Sequence, residues 1–218
     1  MRNKEVSRDI QYIKDTFAKE DNLLKKANDY SINQALPINI GAEEGKILQI
    51  LASMINAKKI VEIGTLSAYS TIWLARSIEG KGKVYSFEKN PEYYKLAKEV
   101  ILNSDVEDKI KIIQGEASQS LKEIEDKAPF DMVFIDADKI GYCKYLDWAE
   151  RNIRKGGLII GDNSLLFGAV YKDQLPEGVS KLAKEVMIDF NNRLSDNSKY
   201  KSILLPTKEG MTIAIKLF

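Results

Sequence analysis

Polar side chains follow two apolar segments of the sequence, each at the point where a buried strand is predicted to end. They are Asp136, Asp138 and Lys139, after Phe130–Ile135, and Asp162 and Asn163, after Gly157–Gly161. Because the carboxyl ends of neighbouring parallel strands meet at one edge of a sheet, we expect Asp136, Asp162 and Asn163 to lie close together. Three oxygen ligands with two negative charges suit Mg²⁺, and also Mn²⁺ or Ca²⁺, with positions left for water and substrate.

Acidic and amide residues at such positions have a second interpretation, because strand-to-helix loops often use them as helix caps. One loop alone would favour capping, whereas two loops at matched strand ends favour a metal site. The sequence contains no histidine, so a metal here would be bound by oxygen alone. The same absence excludes Ser-His-Asp and Cys-His catalysis and leaves Lys, Asp, Glu or Tyr as the general base.

A second pattern is a strand, a turn and a helix start over Val61–Thr71. Gly64 closes the strand, and N–H groups at the start of a helix suit a carboxylate or a phosphate. Glu88 closes the next strand, 24 residues after Gly64, where an acid commonly accepts the hydroxyls of a ribose. Gly64 has no glycine partner within the turn, which disfavours NAD and favours a nucleoside that carries a carboxylate. The alternatives are an ordinary glycine turn and a solvated acid.

The elements that must position these residues alternate along the chain. Apolar runs predict five strands, at Ile60–Ile63, Lys83–Phe87, Ile110–Ile113, Phe130–Ile135 and Leu158–Ile160. Helical periodicity predicts helices at 8–30, Glu43–Asn56, Ser70–Ile78, Pro91–Leu102, Ser118–Ile124, Tyr142–Ile153 and Val179–Leu194, with a loop around Leu36–Gly41. Ser202–Leu205 and Met211–Leu217 indicate a hairpin. This order predicts a doubly wound, Rossmann-like α/β sheet that is mostly parallel, with a C-terminal antiparallel hairpin and helices on both faces.

Length and charge narrow the class of protein. The 218 residues fit a single domain, 1–218, in which residues 1–35 form an N-terminal helical extension. The net charge of +1 gives no reason to expect nucleic acid or an anionic membrane as a partner. No apolar run approaches the roughly 18–20 residues of a membrane span. The lone Cys143 excludes an internal disulfide and, with the polar start, predicts a cytoplasmic protein.

Several short segments, modest alone but specific in their order and spacing, together resemble one family. They are Ile38–Gly45, Glu62–Thr65, Tyr69–Ser70, Glu88, Gly115–Ala117, Asp136–Lys139, Gly161–Asn163, and Leu205–Pro206 with Glu209–Gly210. From about Ser31 to the C-terminus, the chain resembles the cation-dependent class I O-methyltransferases, the group of caffeoyl-CoA and catechol O-methyltransferases and their bacterial relatives. The resemblance implies transfer of a methyl group from S-adenosylmethionine (SAM) to a hydroxyl of a small catechol-like or phenolic substrate, with Mg²⁺ or a similar cation. It also implies a homodimer.

The resemblance further implies a role for each matching residue. For SAM these are the backbone of Ile40 at the amino-acid end, Ser70 at the carboxylate, Asp138 at the ammonium group, Glu88 at the ribose, Glu116 and Ala117 at the adenine, and Glu62, Gly64 and Asp136 beside them. The metal ligands are Asp136, Asp162 and Asn163. Lys139 is the general base, and Asp136 joins it as a catalytic residue.

Two positions depart from the family pattern. Ala68 stands where relatives usually have glycine, and its methyl group is expected to weaken SAM binding unless it already lies in the helix. Leu165–Gly168 stands where relatives often carry tryptophan, so we expect a different acceptor from the plant phenolics. Two other functions remain as alternatives: a nicotinamide-dependent oxidoreductase and a non-catalytic SAM-binding protein.

Overall fold

A computed structural model of the protein describes residues 7–33 and 38–218. Its strands occur at the predicted places, with small shifts at their ends. The strands are β1 (Lys59–Ile63), β2 (Lys83–Glu88), β3 (Ile110–Gln114), β4 (Phe130–Ile135), β5 (Ile153–Gly161), β6 (Tyr200–Leu205) and β7 (Met211–Lys216). The fifth strand begins five residues before its predicted start at Leu158, because Ile153 pairs with Phe130 at the beginning of β4.

Helices alternate with these strands. They are α1 (Arg8–Thr16), α2 (Asn22–Asn33), α3 (Ala42–Met54), α4 (Tyr69–Ser77), α5 (Pro91–Ile101), α6 (Ala117–Ser120), α7 (Tyr142–Asn152) and α8 (Lys181–Leu194). Asn90 caps α5 as its sequence predicts, accepting a hydrogen bond from the N–H of Glu92 at 2.8 Å. The short helix predicted at Ser118–Ile124 is only α-helical as far as Ser120, after which Leu121–Lys127 form a 3₁₀ helix.

The strand order is β3-β2-β1-β4-β5-β7-β6. β1 pairs with β4, β2 with β3, and β4 with β5 in parallel, whereas β7 runs antiparallel to both β5 and β6. This confirms the predicted mixed sheet with a C-terminal hairpin. The order reverses between β1 and β4, and in open α/β sheets ligands bind beyond the carboxyl ends of the strands at such a reversal.

The chain divides into two compact units, Met1–Lys59 with Thr65–Glu116 and Ile60–Gly64 with Ala117–Phe218. In the first unit, α3 packs against α4, and α2 packs against α4 and α5. In the second, α7 packs against β4, β5 and α8. The sequence-based expectation of a single domain stays a prediction. No helix among the described residues is long and apolar enough to cross a membrane.

The helix predicted at 8–30 is wrong, because the structure has two helices there, separated by residues 17–21. Asp21 ends the interruption by accepting a hydrogen bond from the N–H of Leu24 at 3.0 Å, which starts α2. Its other oxygen pairs with Arg76 of α4 at 2.6 Å, and Glu20 accepts from the Tyr69 hydroxyl at 2.7 Å. These tertiary contacts outweigh the helical pattern. Residues 1–6 and 34–37, and with them part of the predicted extension and loop, lie outside the described residues.

Helical spacing of apolar residues predicts that Leu182 of α8 and Met54 of α3 face inward. Both are exposed, and on α3 the exposed fraction of Met54 is 76%. The buried face runs instead through small residues, where a side chain at Gly45 would overlap Trp73 of α4, so close packing decides which face is inside. On α8, Leu182 is exposed and the buried residues are Ala183, Met187, Phe190 and Leu194.

Cys143 is half-buried on α7. Its Sγ lies 3.2 Å from Oδ2 of Asp189 on α8. Burial, followed by this carboxylate, raises the pKa of the thiol to about 11, which keeps it protonated and poorly nucleophilic at neutral pH. The residue therefore serves packing between α7 and α8 rather than chemistry.

Candidate active site

In the first unit, the turn Thr65–Ala68 has an unusual backbone. Leu66 and Ala68 have φ angles of 49° and 64°, in the left-handed region that non-glycine residues seldom adopt. The turn is fixed on two sides: the Thr65 hydroxyl lies 2.6 Å from that of Ser86 on β2, and the Ser67 hydroxyl donates to Oδ1 of Asn39 at 3.2 Å. Asn39 immediately precedes Ile40, so these contacts hold the Ile40 segment against the turn.

Glu88, at the end of β2, has a carboxylate whose direction is fixed. One oxygen accepts the N–H of Leu66 in the turn, and the other accepts the N–H of Asn90, both at 2.8 Å. Only 7% of the residue is exposed. Glu88 is therefore an acceptor with a fixed orientation beside the turn. Its predicted role at a ribose stays a prediction.

Helix α4 begins at this turn without a side-chain cap. Its N-cap residue is Ala68, whose side chain cannot accept a hydrogen bond from the first N–H groups of the helix. Ser70 is half-buried in the first turn of α4. Such a helix start suits an anionic group of a ligand. Ile40 is buried next to Gly41, the N-cap residue of α3, whereas Glu116 is exposed after β3.

In the second unit, the ends of β4 and β5 carry the predicted metal ligands. Ile135 pairs with Gly161, and the next residue, Asp162, donates its N–H to the carbonyl of Ile135 at 2.9 Å. Asp136 and Asp162 therefore follow paired residues on neighbouring parallel strands, as the sequence predicts. Asp162 is fully buried, whereas a quarter of the Asp136 side chain is exposed.

Gly64 lies at the end of β1 in the same unit, at a position where only glycine fits. Its φ angle is 104°, and a Cβ there would overlap the carbonyl oxygen of Asp136. The absence of a side chain at Gly64 lets the ends of β1 and β4 lie close together. A hydrogen bond from the N–H of Asp136 to the carbonyl of Ile63, at 2.9 Å, joins them. Glu62 is fully buried in β1, and Ala117 is buried at the start of α6.

Lys139 has two polar partners. Its Nζ lies 3.2 Å from Oδ1 of Asp136 and donates to the hydroxyl of Tyr142 at 2.7 Å. Tyr142 is fully buried, and its hydroxyl also lies 3.0 Å from the carbonyl oxygen of Ile135 and 2.8 Å from that of Asp162. Burial above all, with the negative charges of three nearby aspartates, holds the pKa of this phenol well above its usual value. Tyr142 is therefore a neutral phenol that joins the ends of both strands to Lys139.

Asp138 is held in a similar way by Tyr145, whose hydroxyl donates to its Oδ1 at 2.7 Å. Neither tyrosine is among the site residues predicted from the sequence, because helical spacing also fits a tyrosine that only packs in the core. Their spacing is a signal that was present, because Tyr142 follows Lys139 by three residues and Tyr145 follows Tyr142 by three. This places both on one face at the start of α7.

The loop after Asn163 is backed by the turn between β6 and β7. Asn163, Leu166 and Phe167 all have positive φ angles. Glu209 stabilises this conformation, since its carbonyl accepts the N–H of Leu165 at 2.9 Å and its carboxylate accepts the N–H of Phe167 at 3.2 Å. Phe167 is 43% exposed, whereas Leu166 is buried.

The described part of the chain contains no cluster of three or more His, Cys, Asp or Glu side chains that could hold a metal ion. The predicted ligand set has two carboxylates and the amide of Asn163. Metal binding by this set therefore stays a prediction.

Comparison with known proteins adds independent evidence. A sequence model described as O-methyltransferase matches residues 14–217. The chain is 35% identical to a catechol O-methyltransferase of Niastella koreensis over 212 residues, which cover 94% of each protein. It is 31% identical to a caffeoyl-CoA O-methyltransferase of Populus kitakamiensis, over 89% of this chain and 85% of the relative. The solved structure of the O-methyltransferase TomG from Streptomyces achromogenes, in complex with SAM, matches with a TM-score of 0.86, 30% identity and 95% coverage of both chains.

The chain belongs to the O-methyltransferase family. It is a SAM-dependent O-methyltransferase of the caffeoyl-CoA and catechol type, as its sequence predicts. This membership excludes the alternative of a nicotinamide-dependent oxidoreductase. It also shows that the seven-stranded sheet with its C-terminal antiparallel strands is the fold of class I O-methyltransferases.

For this O-methyltransferase, the structure changes the expected effect of Ala68. The residue is completely buried, so its methyl group offers no surface that a cofactor could touch, and the expected crowding of SAM is not supported. The left-handed conformation of Ala68 instead costs stability, by about 1 kcal/mol relative to glycine.

We expect Ala68→Gly to raise the free energy of unfolding by up to about 1 kcal/mol, because glycine adopts positive φ without steric cost. The greater freedom of glycine in the unfolded chain offsets part of this gain. The dissociation constant for SAM should stay within about twofold. Urea unfolding and calorimetric titration with SAM measure the two quantities. Unchanged stability together with tighter SAM binding would restore the crowding interpretation.

Proposed function

We propose that this O-methyltransferase is dependent on a divalent metal and transfers the methyl group of SAM to a hydroxyl of a small catechol-like or phenolic acceptor. The observation that carries the proposal is the arrangement at the ends of β4 and β5. There, Asp136 and Asp162 follow paired residues, and the amine of Lys139 lies 3.2 Å from Asp136. The names of the relatives, catechol and caffeoyl-CoA O-methyltransferase, support an acceptor of this class.

For SAM, the proposed contacts follow the geometry of the first unit. Glu88 would accept the ribose hydroxyls, since its carboxylate is fixed by two backbone N–H groups. The start of α4, with Ser70, would accept the carboxylate of the methionine part. The backbone of Ile40 would meet the amino-acid end, and Glu116 would lie by the adenine.

The resemblance to the family implies the remaining proposed SAM contacts. Asp138, held by Tyr145, would pair with the ammonium group of SAM, because a carboxylate favours a neighbouring cation. Ala117 would line the adenine, while Glu62 and Gly64 shape the end of β1. SAM supplies the methyl group on a sulfonium, which leaves as a neutral thioether.

The donor set of Asp136, Asp162 and Asn163 fits a hard cation. It consists of oxygen ligands alone and carries two negative charges, which suit Mg²⁺ and also Mn²⁺ or Ca²⁺. The negative charges of Asp136, Asp162 and Asp138 all act on the Tyr142 hydroxyl, which also contacts the amine of Lys139. This excess of negative charge favours a cation. A bound dication would supply a Lewis acid that favours the ionised form of an acceptor hydroxyl.

Lys139 is the proposed general base. In the proposed reaction, the acceptor oxygen would attack the methyl carbon of SAM as the carbon–sulfur bond breaks, and Nζ of Lys139 would take the hydroxyl proton. Nζ would lie within reach because Tyr142 and Asp136 hold it at the strand ends. Positioning of both reactants accounts for much of such an acceleration.

We also propose that the protein is a cytoplasmic homodimer. The lone cysteine supports a reducing compartment. Helix α1 packs against α3, and large apolar side chains of this region are exposed, Tyr12 and Phe17 to 64% and Met54 to 76%. Large exposed apolar side chains on two helices that pack together favour association with another copy of the chain.

Replacement of Lys139 by Met should lower kcat by about 10²- to 10⁴-fold, because the base is lost while the aliphatic stem remains. The dissociation constant for SAM should stay within about twofold. Steady-state kinetics with a catechol, at saturating SAM and Mg²⁺, measure the effect. Lys144→Met, at an exposed lysine of α7, is the matched control and should retain full turnover. Wild-type turnover of Lys139→Met would refute the base assignment.

Removal of metal with EDTA should reduce methylation of a catechol to background, and excess Mg²⁺ should restore it. The physical reason is that the acceptor hydroxyl remains protonated without the dication. The readout is methyl transfer measured with and without chelator. Full activity after exhaustive chelation would rule out the metal role.

Light scattering after size-exclusion chromatography should give a mass of twice the 24.7 kDa of one chain. Phe17→Glu should shift the protein towards monomer, because a charge cannot be buried there without a partner. Leu102→Glu, at an equally exposed apolar residue after α5, should leave the mass unchanged. A monomeric wild-type protein contradicts the proposal.

A further inference from the structure

The first turn of α7 carries two buried tyrosines whose hydroxyls point to neighbouring members of the proposed site. Tyr142 and Tyr145 are 0% and 1% exposed, and their spacing of three residues puts them on the same face of the helix. Their partners, Lys139 and Asp138, are adjacent in the chain and have different proposed tasks. Neither hydroxyl takes part in the bonds that form or break in the proposed reaction.

Tyr142 holds the amine of Lys139 from two directions. The hydroxyl accepts a hydrogen bond from Nζ at 2.7 Å, and Nζ lies 4.7 Å from the centre of the tyrosine ring. The hydroxyl is anchored in turn, since it donates towards the carbonyl oxygens of Ile135 and Asp162. Its ring packs edge-on against Phe190 of α8, with 5.1 Å between the ring centres. The tyrosine that contacts Lys139 is therefore itself held by both strand ends and by α8.

Tyr145 holds the carboxylate of Asp138. Its hydroxyl donates to Oδ1 at 2.7 Å, which leaves the second oxygen available for another donor. Any side chain at Gly141 would overlap the Tyr145 ring and hydroxyl. Glycine at that position is therefore what allows the ring to lie beneath the loop that carries Asp138 and Lys139.

We propose that Tyr142 and Tyr145 are positioning residues with separate tasks, in which Tyr142 aims the amine of Lys139 at the acceptor hydroxyl and Tyr145 aims the carboxylate of Asp138 at the ammonium group of SAM. The inference rests on the proposed function for the roles of Lys139 and Asp138. Each hydroxyl restrains a side chain that would otherwise sample several rotamers. A displacement of about 1 Å in a reacting group can cost on the order of 100-fold in rate.

Two substitutions separate the tasks, because Phe keeps each buried ring and removes only its hydroxyl. Tyr142→Phe should lower kcat by about tenfold or more at saturating SAM and Mg²⁺, with the dissociation constant for SAM within about twofold. Tyr145→Phe should do the opposite, weakening SAM binding about five- to tenfold while kcat at saturation stays within about twofold. SAM affinity is measured by calorimetry without acceptor, well below the Tm of each variant.

Tyr200→Phe is the matched control. Tyr200 is also buried, and its hydroxyl donates to a carboxylate oxygen of Glu150 at 2.6 Å, away from Lys139 and Asp138 in the chain. Its loss should lower Tm without changing kcat or SAM affinity. If Tyr142→Phe and Tyr145→Phe behave like Tyr200→Phe, the tyrosines only stabilise the fold and the proposal is overturned.

Two further measurements tie Tyr142 to Lys139. In a Lys139→Met background, Tyr142→Phe should cause little additional loss of kcat, whereas additive losses would show that it acts elsewhere. A crystal structure of Tyr142→Phe should show Nζ of Lys139 displaced by about 1 Å or more, and an unmoved amine would overturn the proposal. If Lys139→Met keeps wild-type turnover, the base assignment fails. The crystal structure of Tyr142→Phe and the SAM affinity of Tyr145→Phe then still decide whether the two tyrosines position Lys139 and Asp138.

Discussion

The parallel pairing of β4 with β5 is the constraint on which the proposed site depends. Ile135 lies opposite Gly161, so Asp136 and Asp162 leave the sheet side by side. Because side chains alternate between the faces of a strand, a shift of one residue in this register would turn one of the two acids to the opposite face. The Tyr142 hydroxyl reinforces the register, since it contacts the carbonyls of Ile135 and Asp162 at once. The register between β4 and β5 therefore sets the positions of Asp136 and Asp162 relative to each other.

Both units contain carboxylates that are largely removed from water, and these are compensated in different ways. Glu88 is nearly buried, and two backbone N–H groups bind its carboxylate, so this charge is compensated locally. Around Tyr142, three aspartates face one lysine. Removing several like charges from water is unfavourable unless a cation accompanies them. The first environment suits a neutral polar ligand such as a ribose, and the second suits a cation.

The sequence predicts the ends of the strands better than the contacts that orient the side chains there. Strand ends are marked by a change from apolar residues to Asp136 or Glu88, which local pattern reveals. The hydroxyl of Tyr142 is not revealed, because an inward tyrosine at helical spacing looks like any core residue. The break between α1 and α2 depends on contacts of residues 20–21 with α4, which lie about 50 positions away in the chain. The left-handed backbone of Ala68 is equally hidden, because alanine does not favour it.

The structure separates the residues proposed for chemistry from the loop expected to contact the acceptor. Asp136 and Asp162 follow directly from paired strands, whereas the loop after Asn163 has positive φ angles at Leu166 and Phe167 and depends on Glu209 for its hydrogen bonds. Strained backbone persists where neighbouring structure holds it. Because Glu209 binds backbone N–H groups rather than side chains, the identity of Phe167 can change without loss of these bonds. A substitution of Phe167 can therefore change the surface of this loop without disturbing the ends of β4 and β5.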